Sequence, residues 1–271
     1  MPELPEVETT CRGIAPYVVG NIISNVVIRD RRLRWPVPRD LRKKLLNRKV
    51  LNLERRAKYL LFHFDHGCLI LHLGMSGSLR IITGDQPAQK HDHLDIAFES
   101  GSVLRFHDPR RFGSVLWTSA DPLTHTLLAH LGPEPFSMAC SGAYLHGLSR
   151  GRRQAVKTFI MDSHIVVGVG NIYASEALFR SGIRPQRRAG RVSRQEYEKL
   201  VQAIREVLQD AIAAGGTTLR DYVSGEGRPG YFAFELNVYD RGGEPCPQCG
   251  HPIKQLRIGQ RSTYYCATCQ R

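Results

Sequence analysis

Met1-Pro-Glu-Leu-Pro-Glu-Val-Glu8 opens the chain, and the rest is read outward from it. Leu4, Val7, Cys11, Ile14 and Val18 recur at steps of three and four, the spacing of one apolar helix face. Gly20 is a suitable stop. The stretch predicts a helix over 4–18. Pro at a helix start and Glu in its first turn suit such a helix by themselves. The same residues suit a catalytic N-terminus. A small residue after the initiator Met usually lets that Met be removed, which would leave Pro2 with a free secondary α-amine. Such an amine has a pKa of about 7.7–8, against about 10.4 for Lys, so a useful fraction is unprotonated near neutral pH. It can attack an electrophilic carbon and form a Schiff base. Glu3 lies beside it as a candidate acid or base, and Glu6 follows one turn later. On this stretch alone, capped helix and nucleophilic terminus both stand.

The 271 residues allow two or more domains with a sizeable core. Hydrophobic residues at 42% and charged residues at 23% describe an ordinary globular protein. The charge balance is unusual: 38 Lys and Arg against 25 Asp and Glu leave +13. That excess points to a polyanionic partner, nucleic acid before membrane, with a merely basic protein as the alternative. No run of 18 apolar residues predicts a transmembrane span, and the acidic start lacks the pattern of a signal peptide. A cytoplasmic setting is expected. There, seven cysteines suggest metal or thiols rather than disulfides.

Beyond the first helix, residues 22 to 120 read mostly as strands. Ile22–Ile28 alternates loosely. Tyr59–Phe64 and Leu69–Leu73 suggest a hairpin around Asp65-His66-Gly67. Ser78–Ile82, Leu94–Phe98, Val103–Phe106 and Ser114–Trp117 continue the series. From Asp121-Pro122 helical spacing takes over, with helices predicted near 122–130, 152–161, 171–181 and 194–213. Residues 215–232 are rich in Gly and Thr. There is no internal repeat.

Cys246-Pro-Gln-Cys249 and Cys266-Ala-Thr-Cys269 are two Cys-x-x-Cys pairs with 16 residues between them, the spacing of a four-cysteine zinc site. Two thiolates from each knuckle fill a tetrahedral shell, so the single zinc ion would be structural. A module this short lacks apolar volume, and metal binding should supply much of its folding energy. Cys11, Cys68 and Cys140 lack such spacing and read as small buried apolar groups. Lys254–Arg261, between the knuckles, is basic and reads as a hairpin tip able to reach phosphates, or as a solvated turn.

Residues 29–34, 39–49, 150–153 and 184–194 are also basic. Each alone reads as a solvated face, and together they suggest a positive surface that binds phosphates. In His107-Asp-Pro-Arg-Arg-Phe-Gly113, Phe112 on an exposed loop can wedge into a base stack and Arg110 can read a base edge. Met75, in Leu-Gly-Met-Ser-Gly, can fill the gap left by an extruded base. Core packing is the alternative for Phe112 and Met75. Val167-Gly-Val-Gly-Asn-Ile-Tyr-Ala-Ser-Glu176 enters a helix in a way that suits phosphate binding by backbone N–H groups. It lacks the GxGxxG spacing of a dinucleotide fingerprint.

Taken together, these motifs closely resemble the formamidopyrimidine-DNA glycosylase family, within the wider group that includes endonuclease VIII. The resemblance spans the chain: the N-terminal Pro-Glu-Leu-Pro-Glu-Val-Glu, Lys58 in Arg-Arg-Ala-Lys-Tyr-Leu, Leu-Gly-Met-Ser-Gly and Lys90-His-Asp-His. Asp-Pro-Arg-Arg-Phe-Gly, Val-Gly-Val-Gly-Asn-Ile-Tyr-Ala and the four-cysteine finger with Arg261 complete it. It implies an α+β multidomain fold. An N-terminal β-sandwich with flanking helices (1–130) would precede a helix-two-turn-helix domain (131–235) and a zinc finger (236–271). Double-stranded DNA carrying oxidised bases or abasic sites would lie between the halves. The protein would act as a monomer with no obligate protein partner, in the cytoplasm with the chromosome.

Matched position by position, Pro2 would attack C1′ of the damaged nucleotide, Glu3 would relay protons at the sugar, and Glu6 would support that network. Lys58 would contact phosphate and assist β-elimination. Arg261 would grip the phosphates flanking the lesion and assist δ-elimination. His91, Arg110 and Arg152 match DNA-contact positions, Arg152 standing where some members have Lys. Lys157 and Asn171 match groups that hold the kinked backbone. Met75, Arg110 and Phe112 match the residues that fill the void, and 215–232 matches the loop that caps an everted purine. The form of the N-terminus, the full Met75, Arg110 and Phe112 set and the 215–232 loop favour oxidised purines, chiefly 8-oxoguanine and formamidopyrimidines. An endonuclease VIII-like enzyme for oxidised pyrimidines and a non-catalytic DNA-damage binder are the competing readings.

Overall fold

The protein is described by a computed structural model covering residues 2–82, 84, 86–215 and 236–271. The 215–232 loop lies, apart from Gly215, outside the described residues. The described residues form two compact units: residues 2–129 with Gly215, and His130–Ala214 with residues 236–271.

In the first unit α1 (Leu4–Val18) is the helix that the apolar spacing predicts. Leu4, Val7, Cys11, Ile14 and Val18 are all buried on one face. Val19 turns extended and Gly20 takes a left-handed φ of +83°, which ends the helix. Next come β1 (Ile23–Ile28) and a short α2 (Leu41–Leu45). A meander follows, β2 (Asn52–Arg56), β3 (Tyr59–Phe64) and β4 (Gly67–His72), and then β5 (Ser78–Ile82), β6 (Asp92–Phe98) and β7 (Val103–His107), in which β7 lies between β6 and β5. After them comes β8 (Ser114–Thr118). They form two antiparallel four-stranded sheets, ordered β2-β3-β4-β8 and β1-β6-β7-β5. Leu60, Phe62, Leu69 and Leu71 from the first sheet and Leu79, Leu94, Ile96 and Phe106 from the second join α1 in a single core. That shared core is the two-sheet sandwich with flanking helices. Helix α1 touches β2 and β3 of one sheet and β5 of the other, which fixes the start of the chain against both.

Two expectations change, and one strand forms that the sequence did not announce. Around 122–130 a 3₁₀ turn, Pro122–Thr124, is followed by a separate turn in which Leu128 and Ala129 N–H donate to the His125 carbonyl at 2.8 and 2.9 Å; His125 between them is extended, so the two do not join into an α-helix. Strand β2 carries a single buried apolar residue, Leu53, and owes its form to its pairing with β3. The turn of the β3–β4 hairpin is Asp65-His66, with Gly67 already paired to Phe64.

In the second unit α3 (Gly142–Ser149) is capped by Ser141, whose Oγ accepts Tyr144 N–H at 3.1 Å. The expected 152–161 helix shortens to α4 (Val156–Ile160). Ala155 bridges to Arg188 and Val156 N–H bonds the Arg187 carbonyl, so the preceding backbone is engaged across the chain. Helix α5 (Asn171–Arg180) enters from Gly170, and α6 (Arg194–Ala213) matches its predicted span. Ser193 and Glu196 form the capping box of α6, and Tyr197, Leu200, Val201, Ile204, Val207, Leu208 and Ala211 make its buried stripe. The C-terminal hairpin is β9 (Lys254–Ile258) with β10 (Arg261–Tyr265), closed by Gly259-Gln260, both at positive φ. Val238, Cys246, Ile253, Tyr264 and Cys266 form its small core with Phe179 of α5.

Candidate active site

The chain start is built into the protein rather than frayed. Pro2 is buried, and Glu3 and Glu6 are 3% and 1% exposed. Glu3 caps α1 with extended backbone angles, and its N–H donates to Glu6 Oε2 at 2.7 Å. Burying carboxylates is costly unless they are hydrogen-bonded. Here both sit at the positive end of the helix dipole, where the first-turn N–H groups favour them.

Lys58 stands half-buried in the two-residue loop that joins β2 to β3, between the paired Arg56 and Tyr59. Ala57 takes a φ of +55° to make that turn. Arg55 braces the loop: its Nη1 donates to the Ala57 carbonyl at 2.9 Å and its Nε to Glu8 Oε2 of α1 at 2.7 Å. Burial works to raise the Glu8 carboxyl, but Arg55 and Arg12 outweigh it and hold it below its ordinary value. The hairpin bearing Lys58 and the helix bearing Glu3 are thus tied by an ion pair. At the end of β4, His72 stacks on Tyr59 at 4.7 Å and accepts Gly74 N–H on Nδ1 at 2.9 Å. Burial, with Lys58 and Arg34 nearby, pushes its pKa down to about 4. The ring is therefore neutral at physiological pH, with its proton on Nε2.

Met75 lies half-buried in the β4–β5 loop. Arg110 and Phe112 occupy the β7–β8 loop; Phe112 is 44% exposed and so is not a core residue. The Arg110 guanidinium sits 5.1 Å from the Phe112 ring. His91 lies beside His93 and His107; its Nδ1 is buried without a hydrogen-bond partner among the described residues, and its pKa is lowered by burial and the neighbouring charges.

In the second unit Asn171 begins α5, its Nδ2 3.5 Å from the Tyr239 hydroxyl, with Oδ1 buried and without a partner among the described residues. Lys157 is 1% exposed. Its Nζ donates to the Ser262 carbonyl at 3.2 Å and Thr263 Oγ1 at 2.9 Å, so it braces the hairpin strand next to Arg261. Arg261 is exposed where β10 begins, and Arg152 is exposed after α3. Glu176, 1% exposed, accepts Asn237 N–H and Nδ2–H on Oε2 and the N–H groups of Val238 and Tyr239 on Oε1, all at 2.9–3.0 Å.

The sulfurs of Cys246, Cys249, Cys266 and Cys269 lie within 4.8 Å of one another. Cys246–Cys269 is 3.8 Å and Cys249–Cys266 3.4 Å. A tetrahedral ion with Zn–S near 2.3 Å requires sulfurs about 3.8 Å apart, so the donor set fits zinc. Cys11, Cys68 and Cys140 are buried, with thiols pushed up by burial to about 12, 12 and 11. They are inert apolar groups, as their spacing suggested.

The 29–34 segment contributes less free charge than its composition implies. Arg29 pairs with Asp95, Arg32 with Asp30, and Arg31 bonds the carbonyls of Val37 and Pro38. Arg55, His72, Glu176 and Tyr239 were not singled out from the sequence. Glu8 was quoted only as part of the opening stretch. Their partners lie up to 68 residues away, beyond any local pattern.

Comparison with known proteins agrees with this geometry. The family model of the formamidopyrimidine-DNA glycosylase N-terminal domain matches residues 1–115, that of the H2TH domain residues 131–223, and that of a zinc finger found in FPG and IleRS residues 243–271. Formamidopyrimidine-DNA glycosylases of Syntrophotalea carbinolica and Alkalilimnicola ehrlichii are 60% and 59% identical to the chain, each covered in full, as is the chain. Among solved structures, the MutM (Fpg) protein of Thermus thermophilus matches with TM-score 0.87 and 38% identity, covering 99% of this chain and 98% of that one. Lactococcus lactis Fpg in complex with abasic-site DNA matches with TM-score 0.91 and 32% identity over 99% of both chains.

Proposed function

This chain belongs to the formamidopyrimidine-DNA glycosylase family, and we propose that it is a bifunctional DNA glycosylase and AP lyase of base-excision repair acting on oxidised purines. The observation that carries the reading is the buried start of α1, where Pro2 adjoins two buried, hydrogen-bonded carboxylates. Such a start suits a nucleophile with its proton relay. With Met1 removed, the Pro2 amine attacks C1′ of the damaged nucleotide as the base leaves, and Glu3 delivers a proton that opens the sugar ring. The resulting iminium acidifies C2′–H. Loss of that proton expels the 3′ phosphate by β-elimination, and a second elimination expels the 5′ phosphate, leaving a one-nucleotide gap. Water then releases the sugar fragment and restores the amine. Glu6 steadies Glu3, while Lys58 and Arg261 hold phosphates and assist the two departures.

His91, Arg110, Arg152, Lys157 and Asn171 hold DNA, Lys157 and Asn171 at the kinked backbone, and Lys157 also braces the finger hairpin from within. Met75, Arg110 and Phe112 fill the space left by the extruded nucleotide, at a modest cost in unstacking. The work divides among residues 1–130, 131–235 and 236–271. One zinc ion on Cys246, Cys249, Cys266 and Cys269 supplies folding energy to the hairpin of Arg261. The protein works as a monomer on chromosomal DNA in the cytoplasm.

A substrate panel tests this reading. Duplexes carrying 8-oxoguanine or formamidopyrimidine should be cleaved faster than one carrying thymine glycol. The reverse order would assign the chain to oxidised pyrimidines, and binding without cleavage would make it a damage binder.

A further inference from the structure

Asp108 is a carboxylate with no solvent exposure that the mechanism above does not use. Among the described residues no ion pair reaches it. It spends its two oxygens on the two loops that carry the void-filling side chains. Oδ1 accepts the Ser76 hydroxyl at 2.8 Å, from the residue after Met75. Oδ2 accepts the Gly113 N–H at 2.8 Å, from the residue after Phe112. Ser76 Oγ in turn accepts the Arg110 N–H at 3.3 Å. Its own backbone is held as well: the Asp108 carbonyl accepts from His93 Nε2 at 2.7 Å, and its N–H donates to the His91 carbonyl at 3.0 Å.

The loops also touch backbone to backbone. A Cβ at Gly74 would meet the Phe112 carbonyl carbon and Gly113 N at 2.4 Å, and one at Gly113 would meet Asp108 Oδ2 and the His72 carbonyl at 2.9 Å. Between them Arg111 is held at a φ of +58°, a conformation costly for a side-chain-bearing residue. Loop tips are ordinarily among the more mobile parts of a fold. Here two of them are fused through a buried charge, while the side chain of Phe112 remains outside.

We propose that Ser76 and Asp108 are positioning residues that lock Met75, Arg110 and Phe112 into one preorganised wedge. Insertion then orders few additional groups, and the binding energy goes into unstacking the duplex. This proposal rests on the wedge role given to those three residues under the proposed function.

The test uses full-length protein with Ser76→Ala, Ser76→Thr and Asp108→Asn beside the unsubstituted chain. The probe is a duplex with a tetrahydrofuran abasic analogue, which lacks the C1′ hydroxyl and cannot enter the chemistry, and 2-aminopurine in the opposite strand at the site. Insertion unstacks the 2-aminopurine and raises its fluorescence. Ser76→Ala should keep affinity within about threefold yet lose at least about half of the rise. Its excision of 8-oxoguanine should fall about tenfold, the scale of one lost hydrogen bond to a charged group. Cleavage of a preformed abasic site should fall less than about threefold, and Ser76→Thr should restore both signals. Equal losses on both substrates, tracking a lowered unfolding temperature, would show a purely structural role and overturn the proposal. So would Ser76→Ala and Asp108→Asn both matching the unsubstituted chain. No fluorescence rise with the unsubstituted protein would instead overturn the wedge reading itself, and the lock with it.

Discussion

Replacing Glu176 by Gln should release the polypeptide that leads into the finger. The carboxylate takes four N–H bonds at 2.9–3.0 Å from Asn237, Val238 and Tyr239, and none of it faces water. A Gln amide has one oxygen, which can keep two of these bonds. Its NH₂ would face the remaining two donors and repel them. Hydrogen bonds to a charged acceptor are worth about 1.5–3 kcal/mol each. Losing two therefore costs about 3–6 kcal/mol, locally, in a segment that places Val238 in the finger core and Tyr239 beside Asn171. Amide hydrogen exchange reads this directly, because protection reports the local opening free energy. Exchange at residues 237–239 should quicken by at least about 100-fold, while amides in β3 and β4 stay unchanged. Affinity for an abasic-analogue duplex should weaken in parallel. Protection at 237–239 within about threefold of the unsubstituted protein would refute the reasoning.

Asp95 and Asp92 make the first unit sensitive to acid. Burial works to raise both carboxyls, but Arg29 and Arg105 around Asp95, and Gln89 N–H, His107 and Arg80 around Asp92, outweigh it and hold both below the ordinary range. Groups lowered on folding stabilise the fold above their unfolded pKa, near 3.9, and lose that contribution as pH falls through the folded values. The unfolding temperature should therefore drop steeply below about pH 4, and Asp95→Asn should lower it at pH 7 while flattening the acid limb. Removing zinc, or Cys249→Ser, should abolish duplex binding by unfolding the hairpin of Arg261; binding by verified metal-free protein would contradict this.

Where pattern is local, the sequence already contains the answer. The 3-and-4 spacing from Leu4 to Val18 reports α1 because one helix face is enough to bury it. The two Cys-x-x-Cys knuckles announce their site because each donor pair sits within one turn. Strands Tyr59–Phe64 and Ser78–Ile82 appear with their own boundaries. By contrast, Asn52–Arg56 shows no strand pattern, since its form comes from β3. Gly142–Ser149 was illegible because its two glycines weaken helix propensity, and its support is the Ser141 cap and a bond from the Tyr144 hydroxyl to the Ile165 carbonyl. In the candidate site, the sequence offers Lys157 only by its match to a DNA-backbone position; that it also braces the finger hairpin from a buried place is illegible, because its acceptors lie more than 100 residues along the chain. The Arg29–Arg34 run looks like a free positive face, yet the fold brings Asp95 to Arg29. Long-range pairing decides these cases, and no window of sequence contains it.

Borohydride trapping tests the central claim most directly. The protein is mixed with a duplex carrying 8-oxoguanine opposite cytosine and reduced during turnover, with Pro2→Gly and Glu3→Gln beside it. The account predicts a covalent protein–DNA adduct that mass spectrometry places on residue 2, formed more slowly by both variants. Strand cleavage with the adduct on Lys58, or with no adduct at all, would contradict it.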